Sequence, residues 1–419
     1  MQSKLKASTL VSLDEFLNKA DQWNQLWESC EAYEATSRSE TISLWVRTFE
    51  KPEDFRAVVV ESIDGKFLGA IPLMLKSNRG IKKLTLTVNE WINCGELMIS
   101  SEAESEQIIE LIVSQLTREA DVLEFDRIQL ESTRWRSFAT CLNRTGKTLE
   151  ISRNQRVGMI DIGDDWDEYF KCLSGNHRSA VRRSEKKILK KGNIDLVRFW
   201  NPQDDVLTKW MKHAFEIENQ GWKGANGSSI LAAGLDGYFM QEAINARNCG
   251  MLELWFLLLD DQPIAFEYCH LVKGNCHSYK IGYDENFKAF GPGRQLRKMQ
   301  LEYLTGQSDQ DDIPNTFALD TMGLLCNTKA KWVTRAYQIG RLTASLSMRG
   351  RLAVRGKQIL KRIKHRIRPT HDEQSEIKLG GASFLESVAN VPGQRVVSTP
   401  TMPSALASEL LPSQMKPSR

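Results

Sequence analysis

Residues 276–304, CHSYKIGYDENFKAFGPGRQLRKMQLEYL, decide how the rest of the chain is read. Cys276–Tyr283 has the pattern of a strand, Asp284–Phe290 is a polar loop, and an amphipathic helix opens at Gly291–Arg294 and runs to Leu304. The glycines on either side of Pro292 let the backbone turn sharply and bring N–H groups close to a ligand. The new helix aims its unpaired N–H groups and its positive dipole end the same way. A phosphate fits such a mouth, and Arg294, Arg297 and Lys298 in the first turns add cations to it. The other reading is an ordinary strand-to-helix connection, because Gly and Pro are common before helices and this is not a Walker loop.

A chain of 419 residues is long for one core and comfortable for two. Its 41% hydrophobic and 26% charged residues are those of an ordinary globular protein. The net charge of +3 is unevenly spread: nine Lys and Arg fall in Arg349–Arg368 with no acid among them, so the remainder is net acidic. Such a body offers no broad basic surface to nucleic acid. The eight cysteines show no C-x-x-C and no framework spacing, the usage of reduced thiols in a cytoplasmic protein. The N-terminus has no signal-peptide core, and the longest apolar run, Met251–Leu259, is interrupted by Glu253 and too short for a membrane span.

Two α/β units follow one another along the chain. The first has helices over Ser12–Cys30 and Thr41–Phe49, a hairpin over Arg56–Leu75 with Asp64-Gly65 at its turn, and an alternating strand over Lys83–Trp91. A helix (Ala103–Glu119), a strand (Leu123–Leu130), a helix (Arg134–Arg144) and strands to Ile162 complete it. The second opens with a basic-faced helix over Asp165–Lys191, a strand (Ile194–Phe199) and the helix Asp204–Asn219. A polar, Gly-rich turn over Gln220–Gly227, a helix over Ile230–Cys249 and a three-stranded meander from Met251 to Tyr283 lead to the quoted loop and helix. A strand (Thr316–Leu319), a short helix (Thr328–Arg335) and a last strand (Tyr337–Ser347) close the unit. The hairpins Phe55–Leu75 and Leu252–Leu271 rhyme, each followed by a strand and a helix, which suggests a duplicated fold with the Gly-Pro-Gly turn in the second copy only.

Four blocks in order carry a family resemblance: Leu173–Arg183 (LSGNHRSAVRR), Glu218–Gly227 (ENQGWKGANG), Gly282-Tyr283-Asp284 with Gly291-Pro292-Gly293, and Asp320–Trp332 (DTMGLLCNTKAKW). The second unit resembles GNAT-type acyl-CoA N-acyltransferases of the CelD-like, cellulose-biosynthesis branch, and the whole layout is similar to the FemAB aminoacyl transferases. Asp320, Lys329 and Trp332 fit the family's last block, with Thr328 where a tyrosine is usual and Gly291 where a serine is usual. The resemblance implies two tandem GNAT-like domains, each a mixed, mostly antiparallel sheet flanked by helices. The expected divisions are a degenerate copy over residues 1–163, the acyltransferase domain over 164–348, a basic amphipathic helix over 349–370 and a disordered tail over 371–419. It further implies that the pyrophosphate of acyl-CoA lies on Gly291, Pro292, Gly293, Arg294 and Gln295, and that Ser278–Gly282 holds the thioester carbonyl through a main-chain N–H.

Acyl transfer to an amine needs a deprotonated amine, a polarised thioester and a proton for the leaving thiolate. Glu218 and Asp320 are the candidate bases, and the other reading of each is a carboxylate paired at an element's end with a Lys or Arg. Tyr283 is the candidate donor to sulfur, or else covers a core edge. Trp222 and Lys223, in the polar turn, are candidates for the acceptor site together with Lys329, and Arg178 for an anionic acceptor such as a sugar phosphate or nucleotide sugar. Cys269-His270 and Cys276-His277 invite a metal test, but neighbours on a strand point to opposite faces, so four ligands do not converge and no metal is expected. Arg349–Arg368 either lies on an anionic membrane surface or packs on its own domain.

The expected function is acyl transfer from acyl-CoA to an amino sugar or similar amine in exopolysaccharide or cell-envelope synthesis. A FemAB-like transfer from aminoacyl-tRNA and a non-catalytic scaffold at the membrane surface are the alternatives, and the acidic body weighs against tRNA.

Overall fold

The computed structural model describes residues 5–30, 34–306, 313–367 and 395–398. They form two compact units, one of residues up to 156 together with those from 337 on, the other of residues 157–336. The expected single boundary at 163/164 thus differs from the observed course. The chain leaves the first unit within one long strand and returns to it within another.

In the first unit, β1 (Lys6–Leu10), α1 (Leu13–Leu17), α2 (Ala20–Ser29) and α3 (Ser39–Phe49) precede β2 (Phe55–Glu61), β3 (Phe67–Asn78), β4 (Ile81–Leu86) and the short β5 (Met98–Ile99). Ser12 caps α1 by accepting from the Glu15 N–H at 3.1 Å, but the helix expected to run to Cys30 is interrupted at Asn18-Lys19. Gly65 takes φ 81° at the first hairpin turn, as an Asp-Gly turn requires. Next come α4 (Ser105–Glu119), β6 (Val122–Gln129), α5 (Thr133–Arg144) and β7 (Thr148–Asp161). A core of Ile108, Ile112, Leu116, Phe125, Trp135 and Phe138 fills the space between sheet and helices.

In the second unit the helix expected over Asp165–Lys191 is two: α6 (Trp166–Cys172) and α7 (Gly175–Ile188). Ser174 breaks it by capping α7, its hydroxyl accepting from the His177 N–H, because a serine that serves a new N-terminus leaves the previous helix. Then follow β8 (Ile194–Trp200), α8 (Asp204–Gln220), the single turn α9 (Trp222–Ala225) and α10 (Asp236–Asn248). The latter starts six residues later than the expected Ile230. The meander is β9 (Leu252–Leu259), β10 (Gln262–Val272) and β11 (Asn275–Tyr283), after which come α11 (Pro292–Thr305) and β12 (Ala318–Asp320). Positive φ at Asp260 and Asp261, and again at Lys273 and Gly274, closes the two hairpins. The helix expected over Thr328–Arg335 is one 3₁₀ turn at Lys329–Lys331. β13 (Arg335–Ser345) returns to the first unit, where α12 (Met348–Ile367) follows. Of the expected tail only Arg395–Ser398 lies within the described residues, as a strand, β14, parallel to β7.

The two units repeat one topology. In each, an antiparallel meander (β2-β3-β4 or β9-β10-β11) ends in a strand that pairs parallel with the strand after the next helix: β4 with β6 over Lys83–Thr85, and β11 with β12 over Asn275–His277. The chain has a mixed α/β fold in which one topology occurs twice.

Candidate active site

β12 ends at Asp320, opposite His277, while β11 continues to Tyr283. From Ser278 onward β11 therefore has β10 on one side and no described strand on the other. A parallel pair that parts after three residues leaves a fork whose open edge carries backbone polar groups. One arm of that fork leads through a 3₁₀ segment, Glu285–Phe290, into the Gly-Pro-Gly turn.

A bulge sharpens the edge. The β10–β11 register moves from Cys269↔Ser278 to Tyr268↔Lys280, so Tyr279 is an inserted residue. Before it, Cys276 packs in the core beneath α11; after it, Gly282 lies against Phe266 and Glu218 beside α8. A Cβ on Gly282 would come within 2.6 Å of the Phe266 ring, so glycine is what lets α8 approach.

Gly291 stands at φ 66°, ψ 53°, the left-handed region, and caps α11, while Pro292 opens its first turn. A Cβ there would meet the Ser184 hydroxyl at 2.6 Å; that hydroxyl instead donates to the Phe290 carbonyl. Not all the expected donors are available. The Gly291 N–H is given to Lys288 O, and those of Arg294 and Gln295 both go to Gly291 O, at 3.0 and 3.2 Å. Pro292 has no N–H. Gly293 is exposed and its N–H has no backbone acceptor among the described residues, so it is the one open donor of this turn. The Gln295 side chain is buried and donates to Val181 O at 3.1 Å, which fastens α11 to α7.

The cations sort differently from the sequence expectation. Arg297 turns inward to Glu267 at 2.8 Å and Gln300 at 2.6 Å, and Lys298 pairs with Glu185 and Glu302. Arg297 and Lys298 both stand one turn on from Arg294 and near its face, so it is their carboxylate partners that draw them away from the turn. Arg294 is left at the turn, its guanidinium 3.5 Å from Ala180 O.

Glu218 is buried. Its Oε1 receives Lys223 Nζ at 2.6 Å and its Oε2 the Ile230 N–H at 2.8 Å, while Lys223 also donates to Ile281 O on β11 at 3.1 Å. Both side chains are spent on joining α8, the α9 turn and β11. Trp222 beside them is 37% exposed, although it is a large apolar side chain. Tyr283 lies against the loop, with a ring carbon 3.6 Å from where a Gly293 Cβ would be, and burial raises its pKa, with Glu285 adding to the shift. Arg178 donates to the carbonyls of Lys171 and Leu173, capping the end of α6.

Asp320 is buried and accepts from the Met322 N–H at 2.8 Å, in a loop where Met322 and Gly323 both take positive φ. Lys329 Nζ donates to the Thr321 and Met322 carbonyls at 2.8 and 3.2 Å. Burial lowers its pKa to about 8. His177, which the sequence puts on the basic outer face of its helix, is instead buried at the start of α7, edge-on to Trp332 at 4.5 Å, and burial with the charges of Arg294 and Lys331 holds it at about 4. Its signal was its place in the same block as Arg178.

The cysteines and histidines separate as alternation requires. Cys269 and Cys276 lie beneath α11, where Cys276 Sγ donates to Glu253 at 3.4 Å. Ligand atoms of Glu253, Cys269 and Cys276 lie within 4.8 Å of one another, but Arg198 already neutralises Glu253 at 2.6 Å and burial keeps both thiols protonated. We read the group as a buried ion pair beside two thiols.

Residues 175–308 match the acetyltransferase (GNAT) domain. No curated protein matches the sequence. Among solved structures, FemX superposes with TM-score 0.51 at 10% identity, over 80% of this chain and 98% of that one. A conserved protein of unknown function from Bacteroides thetaiotaomicron gives 0.50 at 9% identity, over 79% and 97%. At such identities the likeness concerns the fold. A tandem GNAT protein from the clavulanic acid biosynthesis pathway, at 13% identity over 82% and 99%, superposes more loosely, with a TM-score of 0.41.

Proposed function

We propose that this GNAT acyltransferase moves an acyl group from acyl-CoA to the amine of a small acceptor, an amino sugar or a nucleotide-linked amino sugar, in exopolysaccharide or cell-envelope synthesis. The observation that carries the reading is the left-handed Gly291 turn with the exposed Gly293 N–H, set at the end of the open edge of β11. The donor set suits a pyrophosphate: one free N–H, the positive end of a fourteen-residue helix and Arg294 alongside. Acyl-CoA supplies an activated thioester carbonyl. The backbone between Ser278 and Gly282 would hold that carbonyl, Tyr283 would line the phosphate end, and Trp222 offers an apolar face to the acceptor. Lys329 lies toward the other end of the fork, beside Asp320, where the acceptor's polar groups would be recognised. The pathway is taken from the CelD-like resemblance alone.

A peripheral membrane contact through α12 belongs to the same reading. Met348, Leu352 and Ile359 are 67%, 68% and 57% exposed, so these apolar side chains are not packed on their own domain. Arg349, Arg351, Arg355 and Lys357 flank them. Among the described residues no helix is long and apolar enough to cross a membrane.

Calorimetry with acetyl-CoA tests the central claim. Binding is expected, and is expected to be lost in Gly293→Glu; a wild-type protein that gives no binding heat removes the reading. Binding that survives Gly293→Glu moves the site elsewhere.

A further inference from the structure

One row of side chains crosses three adjacent strands. His270 on β10 stands opposite His277 on β11, and His277 stands opposite Asp320 on β12. Directly opposed residues share a face and lie about 5 Å apart, so the three form a line across the sheet. Cys276 and Leu319, one residue earlier in each strand, belong to the core beneath α11, which puts the row on the other face, toward α8 and α10. From α10, Glu242 closes the line: its carboxylate lies 3.0 Å from His270 Nε2 and accepts from the Tyr268 hydroxyl. Glu242, His270 and Asp320 are all buried, at 1%, 1% and 5% exposure.

His277 differs from its neighbours. Both its ring nitrogens are buried and neither has a hydrogen-bond partner among the described residues, in a row where the other members are engaged. An orphaned buried imidazole is destabilising unless something else occupies it. Its position says what that could be. His277 is the last residue of β11 paired with β12, at the apex of the fork, next to the bulge at Tyr279. The stretch from Tyr283, which touches the Gly293 turn, back to Ser278 spans roughly 17 Å of strand, about the reach of a pantetheine arm. A thioester whose phosphates sit on the turn would end beside His277.

We propose that His277 is the catalytic base of the transfer, taking the proton of the acceptor amine, with Asp320 on one side and the His270–Glu242 pair on the other stabilising the imidazolium. This rests on the acyl-CoA reading above. The acceptor nitrogen uses its lone pair to form the C–N bond with the thioester carbon, and its proton passes to a ring nitrogen of His277. The C–S bond breaks with its electron pair on sulfur, and the proton passes from His277 to the thiolate. Amide and free thiol are formed, and His277 ends neutral. Burial depresses its pKa, so the neutral ring is the resting form. Lys329 feels the Asp320 charge in this row and donates to the Thr321 and Met322 carbonyls beside it. Lys280 lies over the Phe239 and Tyr279 rings, and on α8 Glu218 is at the far end of β11, paired with Lys223.

The test compares wild type, His277→Gln and His277→Asn for acetyl-CoA binding by calorimetry and for thiol release with acetyl-CoA and a panel of amino sugars and diamines. The expected result is binding unchanged and kcat reduced about 100-fold or more in both variants. The acid limb of the wild-type pH profile should disappear, and imidazole should restore part of the rate. Wild-type kcat and an unaltered acid limb in either variant overturn the assignment. So does a wild type that binds acetyl-CoA but transfers to no amine. Absence of acetyl-CoA binding by the wild type is a different outcome, which removes the acyl-CoA reading and this assignment with it.

Discussion

Lys223 neutralises Glu218: Nζ lies 2.6 Å from Oε1, and the same ammonium reaches the Ile281 carbonyl on the open strand. The carboxylate is buried, so its charge is tolerated because the lysine is there. Lys223→Met is therefore expected to destabilise the protein by roughly 3 kcal/mol, since it strands a buried charge. Glu218→Gln should cost about 1 kcal/mol, as an amide still accepts from Ile230. Urea unfolding of both variants measures this. A normally stable Lys223→Met protein, together with a Glu218→Gln protein unable to release thiol, would mean that Glu218 is a base instead.

Two glycines in one turn should respond oppositely. Gly291→Ala forces a side chain into a left-handed residue and to within 2.6 Å of Ser184 Oγ, which should cost about 1–2 kcal/mol of stability. Gly293→Ala meets only Tyr283, at 3.6 Å, and should leave stability within about 1 kcal/mol of wild type. Its effect belongs in acetyl-CoA affinity. Melting curves with and without acetyl-CoA separate the two, and equal melting losses contradict this account.

Beneath α11, Arg297 and Glu267 form a buried ion pair at 2.8 Å. Glu267→Ala should cost about 3–5 kcal/mol, because the guanidinium loses its counter-charge. Replacing both, as Glu267→Leu with Arg297→Met, should restore most of that loss. A double-mutant cycle reads the coupling, and strictly additive losses would argue against it.

His177 sets an acid limit. Burial, with Arg294 and Lys331 nearby, holds its folded pKa at about 4, below the ordinary 6.5. Between these values the unfolded chain binds a proton that the folded chain refuses. The contribution to stability is thus complete above pH 6.5 and is lost as pH falls toward 4. The full loss is of order 3 kcal/mol. His177→Phe should flatten this part of the stability profile, measured by urea midpoints at several pH values; an unchanged slope rules His177 out as its source.

If α12 meets an anionic bilayer, Leu352→Asp with Ile359→Asp should abolish sedimentation with phosphatidylglycerol vesicles while leaving most of the basic charge in place. Equal sedimentation of the double variant would show that only charge is being read.

Local chemistry made much of this fold legible. Gly65, Asp260-Asp261 and Lys273-Gly274 announce their turns because the left-handed backbone they adopt suits few other residues. The turn at Gly291 was legible for the same reason. What could not be read was direction. Arg294, Arg297 and Lys298 look alike in the sequence, and only packing sends Arg297 to Glu267. The break at Ser174 was hidden because a serine is tolerated within a helix until it caps another. The seven-residue spacing of His270 and His277 was visible and was weighed as a metal pattern. Its partner Asp320 arrives through a parallel pairing more than forty residues away, which no local pattern encodes.

The extra residue at Tyr279 sets β11 out of phase with itself. Ahead of it, even-numbered positions such as Cys276 face α11; beyond it, odd-numbered Tyr283 does, and Gly282 gives α8 its clearance. The strand thereby meets two separate demands that one unbroken alternation could not meet together. Deleting Tyr279 would keep every other side chain yet carry Gly282 and Tyr283 to each other's sides. A shift of reading phase by one residue should harm this protein more than any single replacement along the strand.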